Sequence, residues 1–575
     1  MNYSKLAKTY EKLENTSKRL EKASIIRSLL EESSEDELDY VVLLLRGRLF
    51  PAYDTTEIGI SNKLLIKAIA TSTGYSLKKI NDLWREKGDI GLVTEELIGS
   101  KTQNTLFSKS LMVKDVFETL RSVAVHEGIG STEKKTGAIA KLLTSASGLE
   151  AKYIVRTVLK DLRVGVGEGT LRDGIGWAYL VDPNYEEGSI NPDDREEYSK
   201  VIDVIQGALD KTNDFSLVAR MAKKGIKELE ELKLIVGKPL KVMLAQKTSS
   251  TEEAFKSVGK PAVFEYKMDG FRMQIHKNDE EVSIFTRSLE EVTNQFPEVV
   301  EYVKKNVNAN KIILDCEAVG YNPQNNKYTP FQNISQRIKR KYDIDSLAKK
   351  LPIELNVFDV LLIEDQELLQ KNFKERREVL EKVVKQEDKK IILIKQLVTS
   401  DEKEAVEFYE KSISLGNEGL MAKNLEGTYK PGSRVGSMVK LKPSMDDLDL
   451  VITKAEWGTG KRSGWLTSFT VSCLDNDEFL EVGKVGTGLK EKEEEGLSFG
   501  ELTELLKPFI KKEEGREVVI EPKIIVAIKF EEIQKSPSYN SGYALRFPRI
   551  VNLRRDKPLN EINTIQEVKE QYEEQ

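Results

Sequence analysis

Apolar positions recur at helical spacing through about the first 235 residues and at strand spacing after them. In EAKYIVRTVLKDL, Ala151, Ile154, Val155, Val158, Leu159 and Leu162 share one face at a 3.6-residue period, which predicts an amphipathic helix and an all-α opening module. That helix is expected to stop at Gly165-Val-Gly167-Glu-Gly169-Thr170, with Thr170 and Asp173 as a capping box for the next one. Beyond 235, FEYKMDGFRMQIHK alternates Phe271, Met273 and Ile275 against Arg272, Gln274 and His276, and SIFTRS, KIILDCEAVGY and IELNVFDVLLIE follow as further strands. A mixed α/β domain is expected there, closed by an acidic turn at Asp446, Asp447 and Asp449. The rest alternates short strands with glycine turns, as a small β-barrel does. The expected fold class is multidomain α+β, with segments 1–235, 236–443 and 444–575. The run EKEEEG at 491–496 reads as a solvated turn or helix start.

Composition narrows the chemistry. With 39% hydrophobic and 32% charged residues in 575, the chain fits a globular protein of several domains. Its net charge of -6 gives no sign of a nucleic-acid partner, but 89 Lys and Arg leave room for a local basic surface. Cys316 and Cys473 lie far apart in apolar strands and are expected to be buried free thiols in a reducing cytoplasm. The opening MNYSKLAKTYEKLE lacks a signal-peptide core, and no apolar run is long enough to span a bilayer. Only His126 and His276 are present, so a zinc site or a His-based triad lacks its ligands. Lys, Arg, Asp and Glu must carry the reaction.

The segment that stands out is Glu265-Tyr-Lys267-Met-Asp269-Gly270-Phe-Arg272, a lysine ending one strand before a glycine turn into the next. Alone it matches an ordinary exposed lysine before a β-turn. Its company changes that: TRSLEEVT, DCEAVG, FDVLLI, EGLMAKN, MVKLKP and LRFPRI with RRDK follow in order. This set resembles the collinear motifs of the covalent nucleotidyltransferases, and among them the archaeal and eukaryotic ATP-dependent DNA ligases, over essentially the whole chain. KDLRVGVGEGTLRD and KTQNTLFSKSLMVKDVF are similar to that group's N-terminal DNA-binding domain. Related RNA ligases and capping enzymes lack such a domain. A non-catalytic DNA-binding or clamp-tethered scaffold is the rival from another class, and the joint presence of Lys267, Glu418, Lys440 and Lys442 argues against it.

The resemblance implies a helical DNA-binding domain, an adenylation domain and an OB-fold barrel closing as a monomer around nicked duplex DNA, independently of sequence. Lys267 would attack ATP, and a lysine does so only as the neutral amine, which Arg272, Lys440, Lys442 and bound Mg²⁺ (or Mn²⁺) would favour. Glu265 would meet the adenine edge and Phe358 stack on the ring. Arg272 and Arg287 would contact ribose and phosphate, and Glu317 a ribose hydroxyl. Arg434, Lys440 and Lys442 would face the phosphates, while Glu418, with Glu317 or Asp269, would hold the metal. Arg546, Arg549 and Lys557 resemble the last motif, which engages the pyrophosphate leaving group once the barrel swings in; Arg554-Arg555 reads equally as a solvated turn.

Gly165, Gly167 and Gly169 follow a helix and not a strand, which excludes a dinucleotide fold and leaves backbone N–H groups for duplex phosphates. Arg337, Lys339, Arg340 and Lys341 form a candidate basic patch, and Gln103-Asn-Thr-Leu-Phe107 loosely resembles a sliding-clamp-binding sequence. Met438 stands where the family usually has tryptophan, a question of local packing.

Overall fold

The computed structural model describes the chain except at residues 55, 101–109, 127, 129, 183–184, 187–188, 191–194, 339, 341, 444–445, 477, 493, 495 and 574–575, with backbone alone at 185–186, 189–190 and 332. The sequence Gln103–Phe107, together with Lys339, Lys341, Glu493 and Glu495, lies outside the described residues. Internal contacts divide the chain into two units, Met1–Leu65 with Gln103–Pro443 and Ile66–Thr102 with Ser444–Gln575. The helices Leu77–Lys87 and Ile90–Gly99 thus group with the second unit.

The first unit opens with the helices Tyr3–Glu14, Arg19–Glu31 and Glu35–Leu45 and continues through Val113–Val125, Gly148–Val158, Glu168–Tyr179 and Arg195–Thr212. Local chemistry starts them: Ser147 and Glu150 form a capping box, and the Asp214 carboxylate accepts from the backbone of Ser216 and Leu217. The helix read from EAKYIVRTVLKDL differs from expectation in two ways. It buries every residue from Glu150 to Val158, because its polar side is also covered, with Lys152 and Arg156 both holding Glu14 at 3.0 Å. It also ends at Val158, and the positive φ of 56° at Lys160 turns the chain well before Gly165. Thr170 and Asp173 are not a cap. They lie buried inside the helix Glu168–Tyr179, whose N-cap is Gly167, and Asp173 is clasped by Arg19 at 2.5 Å and Arg172 at 3.0 Å.

Two sheets follow. The first runs in the order Gln366–Glu367, Ile353–Ile363, Lys311–Tyr321, Phe271–Asn278, Glu281–Thr286, antiparallel throughout, with Ile391–Leu393 parallel to Ile353–Ile363. One face, carrying Met273, Ile275, Leu314 and Cys316, packs on the helix Pro297–Asn306 through Val299 and Val303. The second sheet runs Gln396–Thr399, Ala262–Lys267, Gly419–Asn424, Arg434–Leu441, Leu244–Thr248. Phe264, Tyr266, Leu420, Ala422, Val439 and Leu441 face Phe255 and Val258 of the helix Thr251–Val258. Strand side chains alternate, so Glu265 and Lys267 are turned the other way.

Between the sheets, Ile313 and Leu361 meet Tyr429 and Met438, together with Leu240 and Met243 of the preceding linker. Met438 therefore fills a core position. The strand Phe271–Asn278 is not half-exposed as its alternation predicts: Gln274 and His276 are buried too. The linker covers them, its Gly237 N–H donating to His276 Nδ1 at 3.0 Å and its Leu240 N–H to Gln274 Oε1 at 2.7 Å. Arg337 likewise leaves the expected basic patch. It is buried over the Phe296 ring and pairs with Glu298 at 2.7 Å.

In the second unit the strand Leu448–Trp457 pairs with Leu466–Asp475, Glu517–Ile520 and Ile525–Lys529, and the last of these with Arg549–Leu553, around Ile452, Phe469, Val471, Val526 and Ile528. Asp449 belongs to that strand and not to a boundary turn, because Arg554 at 2.5 Å and Lys557 at 2.8 Å neutralise it in place. Cys316 and Cys473 are buried free thiols. Among the described residues no helix is long and apolar enough to cross a membrane.

Candidate active site

Lys267 ends its strand opposite Gly419 of the neighbouring one, and the Glu418 N–H donates to the Lys267 carbonyl at 2.8 Å. This register puts the Glu418 carboxylate on the lysine: Lys267 Nζ ion-pairs with Oε2, and Lys442 Nζ reaches the same oxygen at 2.7 Å. One carboxylate thus gathers Lys267 and Lys442, two of the three lysines that the sequence singled out. Burial works against its ionisation, yet Lys267 and Lys442 outweigh that and hold Glu418 below its ordinary value. The close approach demands glycine. At Gly419, with φ of +136°, a Cβ would stand 2.0 Å from the Leu441 carbonyl oxygen, and at Gly270 one would stand 2.5 Å from that of Ala318.

Glu317, on the facing sheet, completes the acidic side. Burial pushes its carboxyl up to about 7, with Glu418 and Asp269 adding to the rise against the pull of Lys267 and Arg272. Asp269 Oδ2 accepts from the Phe331 N–H at 3.1 Å. Glu317, Glu418 and Asp269 are thus close enough for their charges to act on one another. Among the described residues no three His, Cys, Asp or Glu side chains form a ready metal cage.

Glu265 is buried, its Oε2 2.6 Å from Lys423 Nζ. Burial raises its carboxyl and the Lys423 ammonium opposes the rise. The Phe358 ring is only partly buried, with Lys423 Nζ at 5.1 Å and the Arg272 guanidinium at 5.3 Å from its centre. Arg272 itself is committed to protein. It ion-pairs with Asp315 and donates to Tyr429 Oη at 2.6 Å, and Tyr429 in turn donates to Asp315 at 2.6 Å.

The remaining predicted residues are less gathered. Lys440 lies across from Met421, itself across from Glu265, in one row of the second sheet. Arg434 begins that strand and is exposed, as is Arg287 just beyond the strand Glu281–Thr286. In the second unit Arg549 is exposed, Arg546 pairs with Glu532 at 2.7 Å and Lys557 with Asp449. Sequence reading missed Asp315, Lys423 and Tyr429. Asp315 and Lys423 each had a signal, the period-two spacing from Glu317 and Met421 that puts them on the same faces; Tyr429 had none.

Three family models match successive stretches of the chain. Residues 2–176 match the family model of the DNA ligase N terminus, 242–442 that of the ATP dependent DNA ligase domain and 462–557 that of the ATP dependent DNA ligase C terminal region. The DNA ligase of Nanoarchaeum equitans is 48% identical, covering 100% of this chain and 98% of its own. That of Thermococcus fumicolans is 40% identical over 100% and 98%, and that of Methanopyrus kandleri 39% over 100% and 99%. The solved structure of Pmar-Lig_PreS3 shares the fold at 18% identity and a TM-score of 0.56, covering 95% of this chain and 99% of that one.

Proposed function

This chain belongs to the ATP-dependent DNA ligase family, and from that premise we propose that it seals nicks in duplex DNA through AMP carried on Lys267. The observation that carries the reading is the placement of Lys267 at a strand end, with Glu418 and Lys442 at its amine. In the first step a bond forms between Nζ and the α-phosphorus of ATP, the bond to pyrophosphate breaks and the amine gives up a proton. AMP then passes to the 5′-phosphate at the nick, and the 3′-hydroxyl attacks that phosphorus as AMP leaves. Each is a displacement at phosphorus, so positioning and charge neutralisation supply most of the catalysis.

This chain's residues divide those tasks. Lys442 and Lys440 neutralise phosphate charge, Arg287 and Arg434 are exposed to reach it, and Phe358 offers a ring face to the base. Glu317 and Glu418 would hold Mg²⁺ or Mn²⁺, which supplies further neutralisation at the phosphates; their mutual repulsion is what a cation relieves. Arg272, held by Asp315 and Tyr429, braces the wall of the pocket and stands beside Phe358. Arg549 and Lys557 belong to the motif whose resemblance assigns it to the leaving pyrophosphate, in the first step only. The proposed domains are 1–235, 236–443 and 444–575, acting as a monomer in a reducing cytoplasm on replication, repair and recombination intermediates.

The test is to incubate the protein with Mg²⁺ and α-labelled ATP, then chase onto nicked duplex DNA. Acid-stable label on the protein, discharged as the nick closes, is expected. Label that discharges only onto RNA ends would replace DNA by RNA as the substrate.

A further inference from the structure

The buried wall beside Glu265 leaves two oxygens without a donor. Glu265 Oε2 holds Lys423, but Oε1 is buried with no hydrogen-bond partner. Gln396 is the residue directly across from Glu265 on the neighbouring strand, and its amide Oε1 is also buried and unpartnered. Opposed side chains of an antiparallel pair lie on one face with Cβ atoms about 4.5–5.5 Å apart, so the side chains that carry the two acceptors are neighbours. Among the described residues no hydrogen bond reaches either oxygen, and Lys423 Nζ, held against Oε2, makes none to Oε1. Met421, across from Glu265 on its other side, has no N–H in its side chain, and Arg377 donates to Glu381 at 3.1 Å and the Ile394 carbonyl at 3.4 Å.

Buried acceptors are costly unless satisfied, and two side by side call for a donor atom with two N–H bonds. Adenine carries that atom as its 6-amino group. Guanine carries an oxygen there, a third acceptor against two. Phe358, whose ring lies 5.1 Å from Lys423 Nζ, sets a stacking surface near the same wall.

We propose that Gln396 is a specificity-determining residue, its amide oxygen accepting one N–H of the adenine 6-amino group while Glu265 Oε1 accepts the other. The inference rests on the adenylylation reading and adds the means by which the site rejects other purines. Discrimination arises because a base lacking the amine leaves both buried oxygens unpaired.

The test compares ATP with purine riboside triphosphate, which has hydrogen in place of the 6-amino group, in formation of the lysyl-nucleotide by the full-length protein. Wild type is expected to favour ATP, and Gln396→Leu to lower the ratio of kcat/KM values by about tenfold, through a higher KM for ATP alone. Gln396→Ser takes its place should the leucine variant not fold. An unchanged ratio overturns the proposal, whether both nucleotides weaken together, as when the amide merely braces Glu265, or neither does. Wild-type protein that forms no lysyl-nucleotide from either would overturn the adenylylation reading, and this inference with it.

Discussion

Glu418 and Asp315 are both carboxylates shared by more than one donor in the same α/β region, and they stand in opposite settings. Glu418 holds two ammonium groups, Lys267 22% and Lys442 13% exposed. Asp315, itself fully buried, holds a buried phenol and the forked guanidinium of Arg272, 14% exposed, and beside it Arg376 and Asp359, each 1% exposed, form a second ion pair at 2.7 Å. An ammonium is a compact charge on a flexible stem that can leave a carboxylate for a phosphate, whereas a guanidinium forked on a buried carboxylate is fixed by geometry. On the proposed function, the comparison separates charges free to exchange with substrate from charges that hold the sheets.

The largest effect tests the exchangeable side. Lys267→Ala is expected to abolish acid-stable labelling by α-labelled ATP while the far-ultraviolet circular dichroism stays native; equal labelling would move the nucleophile elsewhere. On the fixed side, Asp359→Ala leaves the Arg376 guanidinium buried and uncompensated, which is expected to cost about 3–5 kcal/mol in denaturant unfolding. A loss below about 1 kcal/mol would mean that the pair is solvated and the contrast false.

Glu418→Gln divides the two sides again. It should slow adenylylation by about 100-fold, the scale of a lost charge contact in the transition state, with stability changed by less than Asp359→Ala changes it. Smaller still, Tyr429→Phe removes one hydrogen bond each to Arg272 and Asp315, for an expected loss of about 1–2 kcal/mol in the same unfolding assay. No loss would show that the Arg272–Asp315 pair needs no third member.

At neutral pH the smallest effect is that of the His276 ring, which is read in the pH dependence. Burial lowers His276 to about 3, so the native state holds it neutral while the unfolded chain takes up a proton below its usual 6.5. The stability tied to the neutral ring is present above pH 6.5 and lost as pH falls toward 3, by up to about 1.4 kcal/mol per pH unit. His276→Gln, which can still accept from Gly237 and donate to Gln274, should flatten that part of the profile, and an unchanged slope would assign the acid loss to other groups.

The order of the motifs, the lysine at a strand end before its glycine turn, the strand-rich last segment and the two buried thiols were all legible in the sequence. These depend on period, turn chemistry and residue type, which are local properties. Tertiary structure decided which polar residues face solvent. Gln274, His276 and Arg337 read as surface positions and are buried because a linker, a second sheet or a neighbouring ring covers them, and Asp449 is a strand residue because two cations distant in sequence neutralise it. It also set the pairing of Glu418 with Lys267 and the meeting of Gln396 with Glu265, which come from strand register, and the clasp of Tyr429 on Arg272 from the segment between two strands, each between residues more than a hundred apart. Spacing along a chain encodes which face a side chain takes; only packing determines what stands opposite.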